Sequence, residues 1–159
     1  MDELKELAEK AQIPVTNTLV GLGGFPGNHE LALGMVGMHG SVAANNSTEE
    51  ADLVIAAGIR FHDRITGHPD FFCKKAKIIH IDIDPAEIDK NVTINVPIVG
   101  DLKRVLSELN TLVEPTTHEA WIAQIREWQA EYPMVIPESK DGVLHPQYVL
   151  SELNKIAKE

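Results

Sequence analysis

A chain of 159 residues, 43% hydrophobic and 24% charged, has the size and balance of one ordinary globular domain with a core of its own. Its formal net charge of −10 argues against nucleic acid or an anionic membrane surface as a partner. A single cysteine, Cys73, rules out an internal disulfide and suits a reducing, cytoplasmic location, while no signal peptide and no membrane-length apolar run is present. The seven histidines are scattered without CxxC or HExxH spacing, so no metal site is expected.

In chain order, residues 2–11 predict a helix with Leu4, Leu7 and Ala8 on one face. Residues 13–19 predict a short strand, and 21–27 (GLGGFPG) a loop. The segment 29–40 is apolar but broken by Gly34, Gly37 and Gly40, and reads as neither helix nor strand. Ser41 is a suitable N-cap for a helix to Glu50. Residues 52–57 predict a buried strand, 69–74 a short helix, and 77–83 (KIIHIDI) a strand rich in β-branched residues. Pro85 fits the first position of a turn or single helical turn after Asp84. Residues 96–99 predict a strand near a sheet edge, because of Pro97. Asp101 then caps a helix over 102–112, and a second helix over 117–132 carries Trp121, Ile122, Ile125 and Trp128 on one side.

Strands alternating with helices predict an α/β fold, a Rossmann-like parallel sheet with helices on both faces. Residues 133–146 hold three prolines and Gly142 and read as a linker, with a new amphipathic helix beyond it. A lone helix after a linker has nothing of its own to bury against. A wound α/β domain also usually opens on a strand, so both ends read as cuts through a longer protein.

The candidate site begins at Gly58-Ile59-Arg60-Phe61-His62-Asp63-Arg64-Ile65, directly after the apolar run 53–57. In open α/β sheets ligands bind outside the carboxyl ends of strands, and a guanidinium fork suits phosphate or carboxylate oxygens. An anionic ligand is therefore expected there. Asp82 ends the next strand, at a spacing from Gly58 that suits an acid accepting ribose hydroxyls; a turn or capping aspartate fits equally. Gly100-Asp101 repeats the pattern one unit later. Three strand ends in succession favour a nucleotide-like ligand stretched along one rim. GLGGFPG lacks the last glycine of a dinucleotide fingerprint, so it is as readily a plain loop. The glycines around Met35, Met38 and His39 allow close backbone approach, or else a tight core turn.

The stretches PVTNTLVGLGGFPGNHELALGMVGMHG, ADLVIAAGIRFHDRITG, KIIHIDIDPAEIDKN and VPIVGDLKRVL resemble the central domain of acetolactate synthase catalytic subunits, in the same order over about residues 13–113. The tail DGVLHPQYV resembles the start of the following domain. The resemblance implies a fragment of an enzyme that joins two 2-keto acids with release of CO2 in branched-chain amino-acid biosynthesis. That parent uses thiamine diphosphate, Mg2+ and FAD. The FAD does no net redox chemistry, and the thiamine site is built by flanking domains across a dimer interface. The implied division is 1–132, an FAD-binding domain lacking its first strand; 133–145, a linker; and 146–159, the first helix of the thiamine-diphosphate-binding domain. The implied partners are those flanking domains, with a homodimeric or tetrameric parent and a small regulatory subunit.

Carried over by motif position, Thr18 and Leu19 should line the flavin region, and Met38, His39 and Gly40 should approach FAD. Gly58, Arg60, His62, Arg64 and Ile65 should follow it along the next strand end. Asp82 and Ile83 should meet ribose and adenine, and Gly100 and Asp101 the far end. Arg64 and Met38 should also face substrate, with Arg64 holding the carboxylate of the second keto acid. No catalytic residue is expected within the chain. The family usually has aspartate where His62 stands, which puts that contact in question. The rival readings are another FAD-bearing thiamine-diphosphate enzyme, of the pyruvate oxidase or glyoxylate carboligase type, and a free-standing nucleotide-binding sensor. In a sensor, residues 133–159 should pack onto the domain.

Overall fold

Five short strands carry the fold in the computed structural model, which describes residues 2–137 and 142–157. β1 (Val15–Asn17) pairs in parallel with β2 (Ala32–Met35). β3 (Leu53–Ala57), β4 (Lys77–Asp82) and β5 (Val96–Val99) form a second parallel sheet in the order β3-β4-β5. The expected strands are all present, and Pro97 lies on the edge strand, where a missing N–H leaves no ladder bond unmade. The single expected sheet is instead two. β1 spends one edge on β2 and β3 spends one edge on β4, and no strand among the described residues joins their other edges.

Helices tie the two sheets together. α1 (Asp2–Lys10) places Leu7 in a core cluster with Ile81, Leu106, Ile13 and Ile55, and Ala8 in another with Phe25, Leu31, Val15 and Ala32; Leu4 packs against both. α4 (Leu102–Leu112) supplies Leu106 and lies beside α1. The two helices are stapled by Lys10 Nζ donating to Asn110 O (2.8 Å) and Asn110 Nδ2 donating to Glu3 O (3.0 Å). On the opposite face of the three-stranded sheet, Val54, Ala56 and Ile78 meet Phe61, Ile65, Phe72 and Val92. Successive strand residues thus bury on both faces, as strands of parallel sheets do. Full burial of a side chain such as Ile81 or Leu106, both at 0% exposure, contributes about 1.5–3 kcal/mol.

Local signals act as their chemistry predicts. Ser41 caps α2 (Val42–Glu50), its hydroxyl accepting from Ala44 N at 3.1 Å. Asp101 caps α4, accepting from Arg104 N at 3.0 Å. Asp84 caps the 3-10 turn Pro85–Glu87. α5 (Glu119–Glu131) buries Ile125 against Leu33 and Ala44, while Trp121 and Trp128 stack edge to face at 5.7 Å. Three expectations change. The undecided segment 29–40 contains β2; the helix at 69–74 is only a 3-10 turn, Pro69–Phe71; and one helical turn, α3 (Asp63–Thr66), stands within the arginine loop. α6 (Pro146–Ile156) contributes no buried residue. The linker expectation for 133–145 falls partly outside the described residues, which omit 138–141, and 134–136 are exposed.

Candidate functional site

Within each sheet the strands run parallel, so their carboxyl ends form rims that carry the expected site residues. Thr18 and Leu19 follow β1, and Met38, His39 and Gly40 follow β2. Gly58 to Ile65 follow β3, Asp82 and Ile83 finish β4, and Gly100 and Asp101 follow β5. The ends of β2 and β3 are joined directly, Met38 N–H donating to Arg64 O at 2.8 Å. A Cβ on Gly37, at φ +101°, would meet Arg64 O at under 3.0 Å, so this docking requires glycine. A Cβ on Gly40 would strike Met35 O just as closely.

The rim presents a mixture of apolar and cationic side chains. Leu19, Met38 and Ile83 are each 71% exposed, although their type belongs in a core. Arg60 leaves its guanidinium 74% exposed, with Nε 4.0 Å from Glu87 Oε1. Glu87 is also held by Lys90 at 2.9 Å. The Asp63 carboxylate, on the first residue of α3, accepts from the Arg64 main-chain N–H at 2.9 Å, and among the described residues the Arg64 guanidinium makes no ion pair. Asp63 therefore pairs with the Arg64 main chain rather than with its guanidinium. His62 is half exposed, with Nδ1 3.9 Å from Asp63 Oδ1.

Four expected contacts have structural duties instead, or in addition. Ile65 is 9% exposed and packs in the core, so only its main chain reaches the rim. Thr18 Oγ1 accepts from Gly21 N at 3.0 Å, tightening the turn after β1. Asp82 Oδ1 accepts from Asp84 N at 2.9 Å, the turn role that spacing left open, while its main-chain carbonyl accepts from Gly100 N at 2.9 Å. Asp101 spends one carboxylate oxygen on capping α4.

Sequence reasoning missed the residues that hold the rim from below. Asn45 of α2 accepts from Gly37 N (2.8 Å) and donates to Gly37 O (3.0 Å), clamping the turn before Met38. His80 Nε2 lies 2.9 Å from Ile59 O, and Asn91 Nδ2 donates to Phe61 O at 2.8 Å. No spacing rule links an asparagine to a carbonyl thirty positions away; only the buried position of His80 on a strong strand pattern was visible.

Two grooves of about 610 Å³ flank α5, one lined by Trp121, Trp128, Glu49 and Glu50, and neither includes a rim residue. Among the described residues no cluster of three or more His, Cys, Asp or Glu side chains could hold a metal ion, and no helix is long and apolar enough to cross a membrane.

The family model for the thiamine pyrophosphate enzyme central domain matches residues 1–109. Acetolactate synthase of Mycobacterium avium is 47% identical over 98% of this chain and 26% of its own length. Acetolactate synthase large subunits of Cyanidium caldarium and Parasynechococcus marenigrum are each 44% identical over 99% of this chain, covering 28% and 26% of their own lengths. The chain thus spans about a quarter of the length of the curated relatives it matches. By its strand-end rim, its α/β layering and these matches, the chain belongs to the family of thiamine pyrophosphate enzyme central domains.

Proposed function

We propose that this chain is the FAD-binding middle domain of an acetolactate synthase large subunit, condensing two 2-keto acids with loss of CO2 only as part of the full-length protein. The observation that carries the reading is the rim itself. Exposed apolar side chains (Leu19, Met38, Ile83) alternate there with cations (Arg60, Arg64) beside glycine turns that admit close backbone approach. A flat ring system, a diphosphate and a ribose need those three surfaces in turn. FAD, when bound, supplies a planar flavin and a dianionic linker without entering the net carbon chemistry.

The chain's own residues then have distinct tasks. Leu19 and Met38 cover the ring, with Thr18, His39 and Gly40 at its margin. Arg60 and His62 face the phosphates; Gly58 and Ile65 approach through main chain only. The second carboxylate oxygen of Asp82 and the exposed Ile83 meet ribose and adenine, while Gly100 and the free oxygen of Asp101 close the far end. Arg64, without an ion pair among the described residues and at the junction of two strand ends, has charge to spare for a keto-acid carboxylate, with Met38 beside it. Thiamine diphosphate and Mg2+ are assigned to flanking domains of the parent, which is placed in the cytoplasm as a homodimer or tetramer with a small regulatory subunit.

Residues 1–132 form the middle domain, 133–145 the linker and 146–159 the first helix of the next domain. α6 supports this division: it leaves Leu150, Leu153 and Ile156 exposed, which a free-standing sensor would bury.

The test is acetolactate formation from pyruvate with thiamine diphosphate, Mg2+ and FAD. The full-length protein should be active and flavin-loaded, and this chain alone inactive. Acetolactate production by the isolated chain, or a flavin-free active parent, would overturn the reading.

A further inference from the structure

The loop after β3 alternates in direction. Arg60 and His62 point outward, whereas Phe61 is 5% exposed and stacks edge-on against both Phe72 (5.8 Å) and His80 (5.0 Å). The inward carbonyls of this loop are taken by two side chains from elsewhere, Ile59 O by His80 and Phe61 O by Asn91. His80 sits on β4 opposite Ala56, with 0% exposure. A carbonyl can only accept, so Nε2 carries the proton. Its other nitrogen, Nδ1, is buried without a hydrogen-bond partner among the described residues, and the Asp82 carboxylate lies 3.9 Å from Nε2. An aliphatic residue would fill this core position without stranding a buried nitrogen. The bond to Ile59 O is what the imidazole offers that leucine does not.

We propose that His80 is a positioning residue. Its Nε2–H, together with the Asn91 amide, pins the carbonyls of Ile59 and Phe61 and so fixes the directions in which Arg60, His62 and the α3 turn bearing Arg64 face the ligand. The inference rests on the rim being the FAD site, but its structural half stands apart from that reading. Side chains that hydrogen-bond a loop backbone, buried in the case of His80 and at the surface in that of Asn91, set the geometry of ligand groups as second-layer partners do at metal sites.

The experiment uses the full-length parent with His80→Leu, His80→Gln and Asn91→Ala. Amide hydrogen exchange is measured without FAD, and FAD affinity by flavin fluorescence. Gln keeps a donor at the reach of Nε2; Leu keeps the volume alone. His80→Leu and Asn91→Ala should speed exchange at the amides of His62, Ile65 and Gly67 at least tenfold and leave those of β4 and β5 unchanged. FAD affinity should fall tenfold or more in both, and His80→Gln should return it to within about threefold of the parent. Unchanged loop exchange in His80→Leu, or a Gln variant as impaired as Leu, overturns the proposal. Should His80→Leu not fold, Asn91→Ala and His80→Gln decide on the same criteria. A parent that binds no FAD refutes the functional reading, and the exchange data then still judge His80.

Discussion

Replacing Gly37 by alanine tests the junction on which the site depends. The residue has φ +101°, and holding a side chain in the positive-φ region costs about 1–2 kcal/mol. The new Cβ would also lie under 3.0 Å from Arg64 O, so the turn must back away from α3. That movement breaks the Met38 N–H to Arg64 O bond and strains both Asn45 bonds to Gly37, and each hydrogen bond lost contributes about 0.5–1.5 kcal/mol. Backbone strain and the one broken bond together come to about 1.5–3.5 kcal/mol, with any weakening of the Asn45 bonds added to that. Gly34→Ala is the control: φ is +81°, but nothing lies within 4 Å of the added Cβ, so only backbone strain applies. Urea unfolding can be followed through Trp121 and Trp128, which pack against Leu33 and Ala44. With a slope of about 1–3 kcal/mol per molar, Gly37→Ala should unfold about 0.5–1 M earlier than Gly34→Ala. Equal midpoints would show that the Gly37–Arg64 approach imposes no constraint.

Cys73 is 2% exposed, and burial, with the Glu49 carboxylate nearby, pushes its thiol up to about 12. It should react with a thiol reagent at neutral pH only after unfolding by urea; rapid modification of the native protein would contradict this. Glu9 lies below the ordinary glutamate pKa, chiefly through its 3.0 Å bond with His29 and then through Lys5. A depressed folded-state pKa stabilises above the ordinary value and is lost as pH falls through the folded one. Between pH 5.5 and 3, stability should therefore drop more steeply in the unsubstituted chain than in Glu9→Gln, and parallel pH profiles would refute it. In the full-length parent, Arg64→Ala should lower kcat/KM by about 10–150-fold, the equivalent of about 1.5–3 kcal/mol for a charge-assisted bond, with flavin content near normal. Arg60→Ala, whose guanidinium already leans on Glu87, should instead show as flavin loss; identical kinetics and flavin content in the two variants would dissolve the distinction.

β3 and β4 were legible because a parallel sheet covered on both faces needs apolar, β-branched runs such as Leu53–Ala57 and Lys77–Ile81, and β5 by its short apolar run Val96–Val99 with Pro97 at the edge. Caps were legible for a similar reason: Ser41 and Asp101 each satisfy an N–H three residues on, so the signal is local. β2 escaped because Gly34 and Gly37 weaken any strand pattern, and its register with β1 slips between Val15 and Thr16. The α3 turn escaped because it is four residues long and is held by Asp63 and by the docked Gly37–Met38 turn, a tertiary cause that propensity does not register. The division into two sheets was not legible either, since a strand pattern reports that a segment has edges but not which edge is filled.

At the rim, what could be read was which residues point out, and what could not was what fixes their direction. Arg60 and Arg64 announce themselves by charge, and His62 by polarity, after an apolar run. Their orientation comes from main-chain carbonyls, those of Ile59 and Phe61 one residue before Arg60 and His62 and that of Arg64 itself, held by His80, Asn91 and the Met38 main chain at separations of 21, 30 and 26 positions. Ile65 shows the consequence. Its place in the motif suggested a ligand contact, but the helical turn rotates that position into the core beside Val36 and Phe61, while Asp63 and Arg64 on the same turn stay exposed. A loop read as a linear string of contacts is in fact an alternation of anchors and presenters, and only the anchors distinguish a rigid binding edge from an exposed loop of the same composition.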